Sequence, residues 1–120
     1  MSRCVNLDWL EVHCAEPLRE PRTADYFAGR GYMVDVREYG TPVYNEMFTI
    51  LDTHGNPMIE VRRSPKSQLM AANMCHLRFH NSYCYYDDAA DLMAQFIERE
   101  GFEFIRISRV DVCMDFEKFD

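Results

Sequence analysis

The sequence has 120 residues, of which 20 are acidic and 13 basic, so its formal net charge is −7. Hydrophobic residues make up 48% and charged residues 28%, which is typical of a globular protein. No apolar run reaches the ~20 residues that span a bilayer, and the N-terminal residues lack the apolar stretch of a signal peptide. We therefore expect one soluble, cytoplasmic domain without membrane contact.

The five cysteines are odd in number and have no CxxC spacing. Most lie within apolar segments, which is typical of reduced, buried thiols in an intracellular protein. A domain of this length also buries a sufficient core without covalent or metal cross-links. The cysteines therefore predict neither a disulfide framework nor a zinc ribbon.

The acidic net charge argues against nucleic-acid binding by the chain as a whole, because phosphate backbones are bound mainly by clustered bases. Eleven of the 13 bases are arginine, however. The planar guanidinium suits bidentate contact with phosphate and also serves in structural ion pairs. Both uses stay open, and the structural one is the commoner.

The first predicted element is a strand over residues 7–15, in which apolar residues alternate with Trp9, Glu11 and His13. A short helix follows at residues 24–28, with Thr23 as its N-cap and a glycine at its end. Residues 32–39 form a second strand candidate, which Gly40 and the following Pro42 terminate.

A hairpin is predicted in the middle of the chain. Its arms are strands three (residues 44–52) and four (residues 58–63), and His54-Gly55-Asn56-Pro57 supplies the turn. Residues 68–72 are expected to form a helical turn, and strand five runs from residue 74 to about residue 85.

The clearest helix begins at Ala89, capped by Asp87 or Asp88, and Gly101 ends it. Strand six covers residues 102–116. The pattern predicts an α+β fold, in which a mostly antiparallel sheet of about five to six strands packs one or two helices on one face. Residues 1–120 form a single domain, and we expect it to be the N-terminal part of a longer protein.

Strand six places Asp111 and Asp115 on one polar face together with Arg109, because successive side chains alternate across a sheet. The two carboxylates are roughly 13 Å apart along the strand, at ~3.3 Å per residue. They are therefore too distant to chelate one ion without help from neighbouring strands.

Strands one and five carry polar series of the same kind. If these strands neighbour strand six, one sheet face collects imidazole and carboxylate groups suited to Mg²⁺, Mn²⁺ or Zn²⁺, namely Glu11, His13, His76, His80, Asp111 and Asp115, with Arg78 among them. The alternative is an ordinary solvated face with cross-strand ion pairs, and the residues alone favour it.

A short basic segment at the end of strand four contains Arg62, Arg63 and Lys66. Three bases within five residues of an acidic protein are candidates for phosphate contact. A solvated hairpin end is the commoner explanation.

Several segments resemble the N-terminal half of phage and plasmid replication initiation proteins. The resemblance rests on Leu7-Asp8-Trp9-Leu10, residues 32–39, Asn81-Ser82-Tyr83-Cys84-Tyr85 and, most specifically, Ile107-Ser108-Arg109-Val110-Asp111-Val112-Cys113-Met114-Asp115-Phe116. The last segment has the form S-R-hydrophobic-D-hydrophobic-x-hydrophobic-D-aromatic. These short motifs are spread over most of the chain.

The resemblance implies rolling-circle initiation on single-stranded or origin DNA, in which a tyrosine attacks a DNA phosphate with the help of a divalent ion, Mg²⁺ or Mn²⁺. It implies Asp111 as the first metal ligand and Asp115 as the next, with Arg109 as a phosphate or structural partner. Related nickases hold two histidines one residue apart, whereas three residues separate His76 and His80. The nucleophilic tyrosine is expected beyond Asp120, so residues 1–120 alone are expected to be inactive.

Three functional hypotheses follow. The first is the N-terminal domain of a DNA-nicking replication initiator, with metal ligands Asp111, Asp115, His76, His80 and His13 and DNA contacts from Arg109, Arg78, Arg62, Arg63 and Lys66. The second is a non-catalytic α+β protein-interaction domain. The third is a small-molecule enzyme with His76 and Asp111 as an acid-base pair.

Overall fold

The computed structural model describes residues 3–80 and 89–116. Within these residues the chain forms two helices and six strands, which confirms the predicted α+β fold. In chain order they are β1 (Arg3–Ala15), α1 (Ala24–Gly29), β2 (Met33–Val36), β3 (Tyr44–Leu51), β4 (Pro57–Pro65), β5 (Met74–Phe79), α2 (Ala89–Arg99) and β6 (Glu103–Phe116).

The six strands form one sheet in the order β2-β3-β4-β5-β1-β6, and every neighbouring pair is antiparallel. The first strand of the chain thus lies between two strands from its second half. The predicted hairpin is confirmed as β3 and β4, and the Asp52 carboxylate accepts hydrogen bonds from the backbone N–H groups of His54 and Asn56 within its turn.

One face of the sheet, called the helix face here, carries the core. Alternation along the strands directs their apolar series to this face, where both helices cover it. Phe27 of α1 is fully buried, with ring centroids 5.8 Å from Phe48, 6.1 Å from Phe96 and 6.4 Å from Phe102. The other buried apolar residues here include Leu10, Val12, Cys14, Ile50, Ile59, Val61, Cys75, Leu77, Phe79, Met93 and Ile97.

The C-terminal end of α2 is tied to α1 through Glu100, whose side chain is fully buried. Its carboxylate accepts a hydrogen bond from the Tyr32 hydroxyl at 2.8 Å and forms an ion pair with Arg30 at 2.8 Å. The next residue, Gly101, has φ +75°, a conformation that favours glycine, and a Cβ there would collide with the Arg22 guanidinium. This corner holds the two helices over the sheet.

Some element bounds differ from the predictions. β2 is shorter than residues 32–39, because after Val36 the chain bends and Gly40 approaches the backbone of Tyr44 and Asn45 too closely for a side chain. Residues 68–72 contain turns but no helix. β5 ends at Phe79, so His80 is not part of it, and residues 81–85 of predicted strand five lie outside the described residues, as do both candidate N-caps of α2.

Two further expectations concern the cysteines and the membrane. Cys14 and Cys75 are directly opposite each other in β1 and β5, and both are buried free thiols, as predicted. Burial raises the pKa of Cys14 to about 12 and also raises that of Cys75, so both thiols stay protonated. Among the described residues, neither helix has the length and apolarity to cross a bilayer.

Candidate functional site

The sheet surface opposite the helix face carries the polar series of the four strands β4, β5, β1 and β6. The register aligns these series, because His13 is opposite both His76 and Arg106, and Glu11 is opposite both Arg78 and Arg109. We call this surface the polar face and define it by Trp9, Glu11, His13, Glu60, Arg62, His76, Arg78, Arg106, Arg109 and Asp111. The neighbourhood of strands one, five and six that the sequence hypothesis required is confirmed.

A series of polar contacts crosses the polar face around His76. Arg62 NH1 lies 3.1 Å from His76 Nδ1, and His76 Nε2 lies 3.0 Å from Glu11 Oε1 and 3.5 Å from Ser108 Oγ. A guanidinium only donates hydrogen bonds, so Nδ1 must accept, and Nε2 carries the proton, for which the Ser108 hydroxyl is the acceptor. His76 is therefore held as one defined neutral tautomer.

The electrostatic surroundings keep both imidazoles of this face neutral. Burial is the main reason that the pKa of His76 falls to about 4, and the nearby positive charge of Arg62 lowers it further. Burial and Arg106 also lower the pKa of His13. The two rings lie 5.2 Å apart, and neither is a cation near pH 7.

Trp9 is the only tryptophan of the chain, and it stands between two arginines from different strands. The guanidinium carbon of Arg78 on β5 lies 3.7 Å from the centre of the indole, and that of Arg109 on β6 lies 4.5 Å from it. The indole Nε1 donates a hydrogen bond to Glu11 Oε2 at 2.7 Å. Trp9 thus holds two guanidiniums in place by cation–π contact.

Carboxylates on the same surface balance most of the arginine charge. Glu60 Oε2 lies 3.1 Å from Arg62 and 3.4 Å from Arg78, while Asp111 pairs with Arg109 at 2.9 Å. With Glu11 the polar face has three carboxylates against four arginines, namely Arg62, Arg78, Arg106 and Arg109. The positive excess is small, but it contrasts with the net charge of −7 for the whole chain.

A groove of about 420 Å³ opens beside the histidines. Its lining includes Tyr44, whose ring lies 6.4 Å from that of His76. Two buried polar atoms in its walls have no hydrogen-bond partner, the hydroxyl of Tyr44 and Nδ1 of His13. Such atoms each cost about 1–3 kcal/mol, so a ligand or water that satisfied them would be stabilised here.

The described residues do not fit the divalent metal that the resemblance implies. His76 has no free lone pair, because Arg62 occupies Nδ1 and Nε2 carries the proton. Within residues 3–80 and 89–116 there is no group of three or more His, Cys, Asp or Glu side chains that is able to hold an ion.

The register also separates His76 from Asp111, which the third hypothesis paired as acid and base. Asp111 is opposite Trp9, whereas His76 is opposite His13, four residues further along β1 and roughly 13 Å away along the strand. Asp115 is opposite Cys4, and its side chain lies outside the described part of the chain. The acid-base pair of the third hypothesis is therefore not assembled.

The remaining predicted residues divide between the two faces of the sheet. Arg62, Arg78 and Arg109 lie on the polar face, whereas Arg63 points to the helix face. There Arg63 is 9% exposed and pairs with Glu16 at 2.9 Å and with Glu46. This ion pairing replaces the proposed DNA contact of Arg63 with a structural role.

Two of the predicted ligands or contacts lie near the ends of strands. Lys66 follows β4 and is exposed. His80 follows β5, is half-buried, and donates its backbone N–H to Met58 O at 2.8 Å.

Sequence reasoning missed four members of the site. Trp9 is in phase with Glu11 and His13 along strand one, so the two-residue period contained the signal for it. Glu60 is in phase with Arg62 along strand four, so the two-residue period contained the signal for it. Arg106 and Tyr44 had no such signal, since their positions depend on the pairing of β6 with β1 and on the path of the chain before β3.

Compared with protein-family models, curated proteins and solved structures, the chain has no significant match.

Proposed function

We propose that the polar face binds single-stranded DNA, as the N-terminal part of a rolling-circle replication initiator would. The observation that carries the proposal is the position of Trp9 between the guanidiniums of Arg78 and Arg109. Surfaces that bind single strands combine arginines for the backbone with aromatic or guanidinium planes on which bases stack. Arg62 and Arg106 extend this surface on both sides of the histidines.

The spacing of the arginines supports a strand that runs across the sheet. Arg62 on β4 and Arg109 on β6 are three strand positions apart, which is roughly 14 Å at ~4.8 Å per strand. That span accommodates several phosphates of one DNA strand. A guanidinium that stacks on an indole keeps its in-plane N–H groups directed outward, where they can bind phosphate oxygens.

The carboxylates make the proposed binding weak and selective. Phosphates must displace Glu60 from Arg62 and Arg78, and Asp111 from Arg109, before they pair with the guanidiniums. This exchange needs no metal ion. Strand nicking, in the wider replication proposal, is assigned to a tyrosine outside these residues.

The test is a fluorescence anisotropy titration of a labelled single-stranded oligonucleotide across a series of salt concentrations. Four phosphate contacts predict that log K falls with log salt with a slope of about −3, at ~0.7 per phosphate. Arg109→Gln should weaken binding and reduce the slope by about 0.7. Arg19→Gln removes the same charge from the exposed loop between β1 and α1 and should change neither value.

Duplex DNA and single-stranded RNA are the competitors in the same assay. Preferential release of the oligonucleotide by unlabelled single-stranded DNA is expected. Absence of binding at low salt, or an equal effect of Arg19→Gln and Arg109→Gln, would contradict the proposal. Stronger competition by RNA would mean that the ligand of the polar face is single-stranded RNA.

The second candidate is a non-catalytic protein-interaction domain. One observation favours it: β6 carries four exposed apolar side chains, Phe104, Ile105, Ile107 and Val110, with 41–52% of their surfaces accessible. Exposed apolar patches of this kind are typical of protein contact sites. Absence of salt-dependent DNA binding, together with self-association or partner binding through β6, would favour this candidate.

A further inference from the structure

β6 is an edge strand of the sheet and is long for that position. It spans 14 residues and pairs with β1 on one side, and no other strand of the described chain lies on its outer side. A long edge presents a row of backbone N–H and C=O groups that can pair with a further strand. The opposite edge, β2, has only four residues.

An apolar groove lies along the same edge on the helix face. It has a volume of about 490 Å³ and is bordered by β6 and α2. Phe104, Ile107 and Val110 form its β6 side, and Ala90 and Ala94 are among the α2 residues that line it. Backbone edge and apolar groove together form a surface suited to an added strand with apolar side chains on one face.

A bulge in β6 makes the faces of its side chains symmetrical about the middle of the strand. Ile107 is opposite Val12 and Val110 is opposite Leu10, so both point to the helix face although they are three residues apart. The register shift between them adds one residue and allows this. Arg106 and Asp111, which flank this pair, are opposite His13 and Trp9 and belong to the polar face.

We propose that the occupant of this edge is a second copy of the chain, paired antiparallel through β6. The two-fold axis passes between Ser108 and Arg109. Ile107 of one copy then lies opposite Val110 of the other on the helix face. Arg106 lies opposite Asp111 of the other copy on the polar face.

Charge complementarity supports this register. Residues directly opposite in an antiparallel pair share a face, and opposite charges there are favourable whereas like charges are not. The register proposed forms the Arg106–Asp111 pair twice. An axis through Ile107 would instead place Glu103 opposite Asp111, and an axis through Arg106 would place that residue opposite itself.

The helices are compatible with the same symmetry. A continuous sheet brings α2 of each copy toward the axis on the helix face, above Phe104 and Ile107. The exposed residues that α2 presents at the groove, Ala90 and Ala94, are small and permit close approach. The proposal does not require DNA binding, although its Arg106–Asp111 pairs lie on the polar face, where Asp111 also contacts Arg109 within one copy.

The first test is sedimentation velocity of the whole chain over a wide range of protein concentrations. A reversible monomer–dimer equilibrium is expected. Ile107→Lys should abolish the dimer, since it places a charge within the apolar contact. Val36→Lys is the matched control, because Val36 is an exposed apolar residue (62%) on the opposite edge strand and its replacement should leave the dimer intact.

The second test exchanges the two charges. Arg106→Asp and Asp111→Arg should each weaken the dimer at least about tenfold, because each places like charges opposite one another twice. An equimolar mixture of the two single variants should dimerise, and so should the double variant. Circular dichroism of each single variant establishes that the monomeric species are folded.

Two outcomes would overturn the proposal. One is a wild-type chain that is monomeric at every concentration. The other is a dimer that survives Ile107→Lys, or one that is lost in a single charge variant and not regained in the mixture. Loss of DNA binding with the dimer unchanged would affect only the function proposed for the polar face.

Discussion

Nδ1 of His76 lies 3.1 Å from NH1 of Arg62, and this contact determines the tautomer of the imidazole, while burial first and Arg62 second keep it neutral. A protonated His76 would turn an N–H toward a guanidinium that has no acceptor. The Glu11 carboxylate on the other side favours protonation, but burial and Arg62 outweigh it, and the pKa falls to about 4. His13 opposes protonation and Glu60 favours it, both as smaller effects.

This arrangement predicts that the fold loses stability in mild acid. Since the pKa of His76 is about 4 when folded and near 6.5 when unfolded, the unfolded chain takes up the proton first as the pH falls. The free energy of unfolding should therefore decrease between pH ~6.5 and ~4 by about 1–2 kcal/mol, allowing for partial solvent access. Urea denaturation across this range measures it.

His76→Gln removes the main titrating group and should reduce the loss of stability over that part of the pH profile, leaving the contribution of His13, whose pKa is also lowered. His54→Gln removes an imidazole from the exposed hairpin turn and should retain the wild-type loss of stability. An NMR spectrum with the proton on Nδ1 of His76, or a His76 pKa above 6.5, would contradict the assigned tautomer and its cause.

A second prediction concerns the buried pair of Arg63 and Glu16, which are 9% and 3% exposed. Arg63→Met should destabilise the fold by about 3–5 kcal/mol, because Glu16 would remain as an unpaired buried charge. The double variant with Glu16→Met should lose much less than the sum of the two single variants. Strict additivity in chemical denaturation would show that the two side chains do not act as a pair.

Arg62 and Arg63 illustrate what the sequence could predict about the site. They were grouped as one basic segment, but adjacent residues of a strand face opposite sides of the sheet. Applied to these two residues, the two-residue period separates a polar-face arginine from a helix-face arginine. The run of bases does not show which face each arginine points to, whereas the alternation of side chains along the strand does.

Part of the fold could likewise be predicted from local sequence and part could not. Alternation in strands one and five predicted which residues are buried, and the turn residues predicted the hairpin, because both depend on local sequence. The position of β1 between β5 and β6 depends on contacts between residues 59 to 113 positions apart. No local pattern encodes that order, so the meeting of His76 with Glu11 rather than Asp111 required the structure.

The aromatic centre of the core gives a third prediction. Phe27 is fully buried among aromatic rings from α2 and the sheet, and its truncation leaves a cavity. Phe27→Ala should therefore cost about 3–5 kcal/mol in the free energy of unfolding. Leu69→Ala, at a side chain that is 98% exposed, should cost less than about 0.5 kcal/mol. A small effect of Phe27→Ala would indicate that the helices do not cover the sheet as described.

Glu60 provides a test in which DNA binding should improve. It competes with phosphate for both Arg62 and Arg78, so Glu60→Gln frees two guanidiniums and removes a repulsive charge. We expect a severalfold gain in affinity for single-stranded DNA at low salt, measured by anisotropy. Glu98→Gln, on the exposed surface of α2, makes the same change in net charge away from the polar face. An equal gain in both variants would mean that only overall charge matters.

Trp9 gives the most direct readout, because it is the only tryptophan and lies on the polar face in contact with Arg78 and Arg109. Stacking of bases or displacement of Arg78 and Arg109 changes the surroundings of the indole, so single-stranded DNA should quench or shift its emission. The change should saturate at the same DNA concentration as the anisotropy and disappear at high salt.

The Arg78→Gln and Arg109→Gln variants calibrate this signal. Each removes one guanidinium from the indole and should alter the emission of the free protein, whereas Arg19→Gln should not. DNA that binds according to anisotropy but leaves Trp9 emission unchanged would place the binding surface elsewhere on the chain. A joint change in both signals, lost together in Arg109→Gln, would locate the DNA strand on the polar face, because no second tryptophan contributes to the emission.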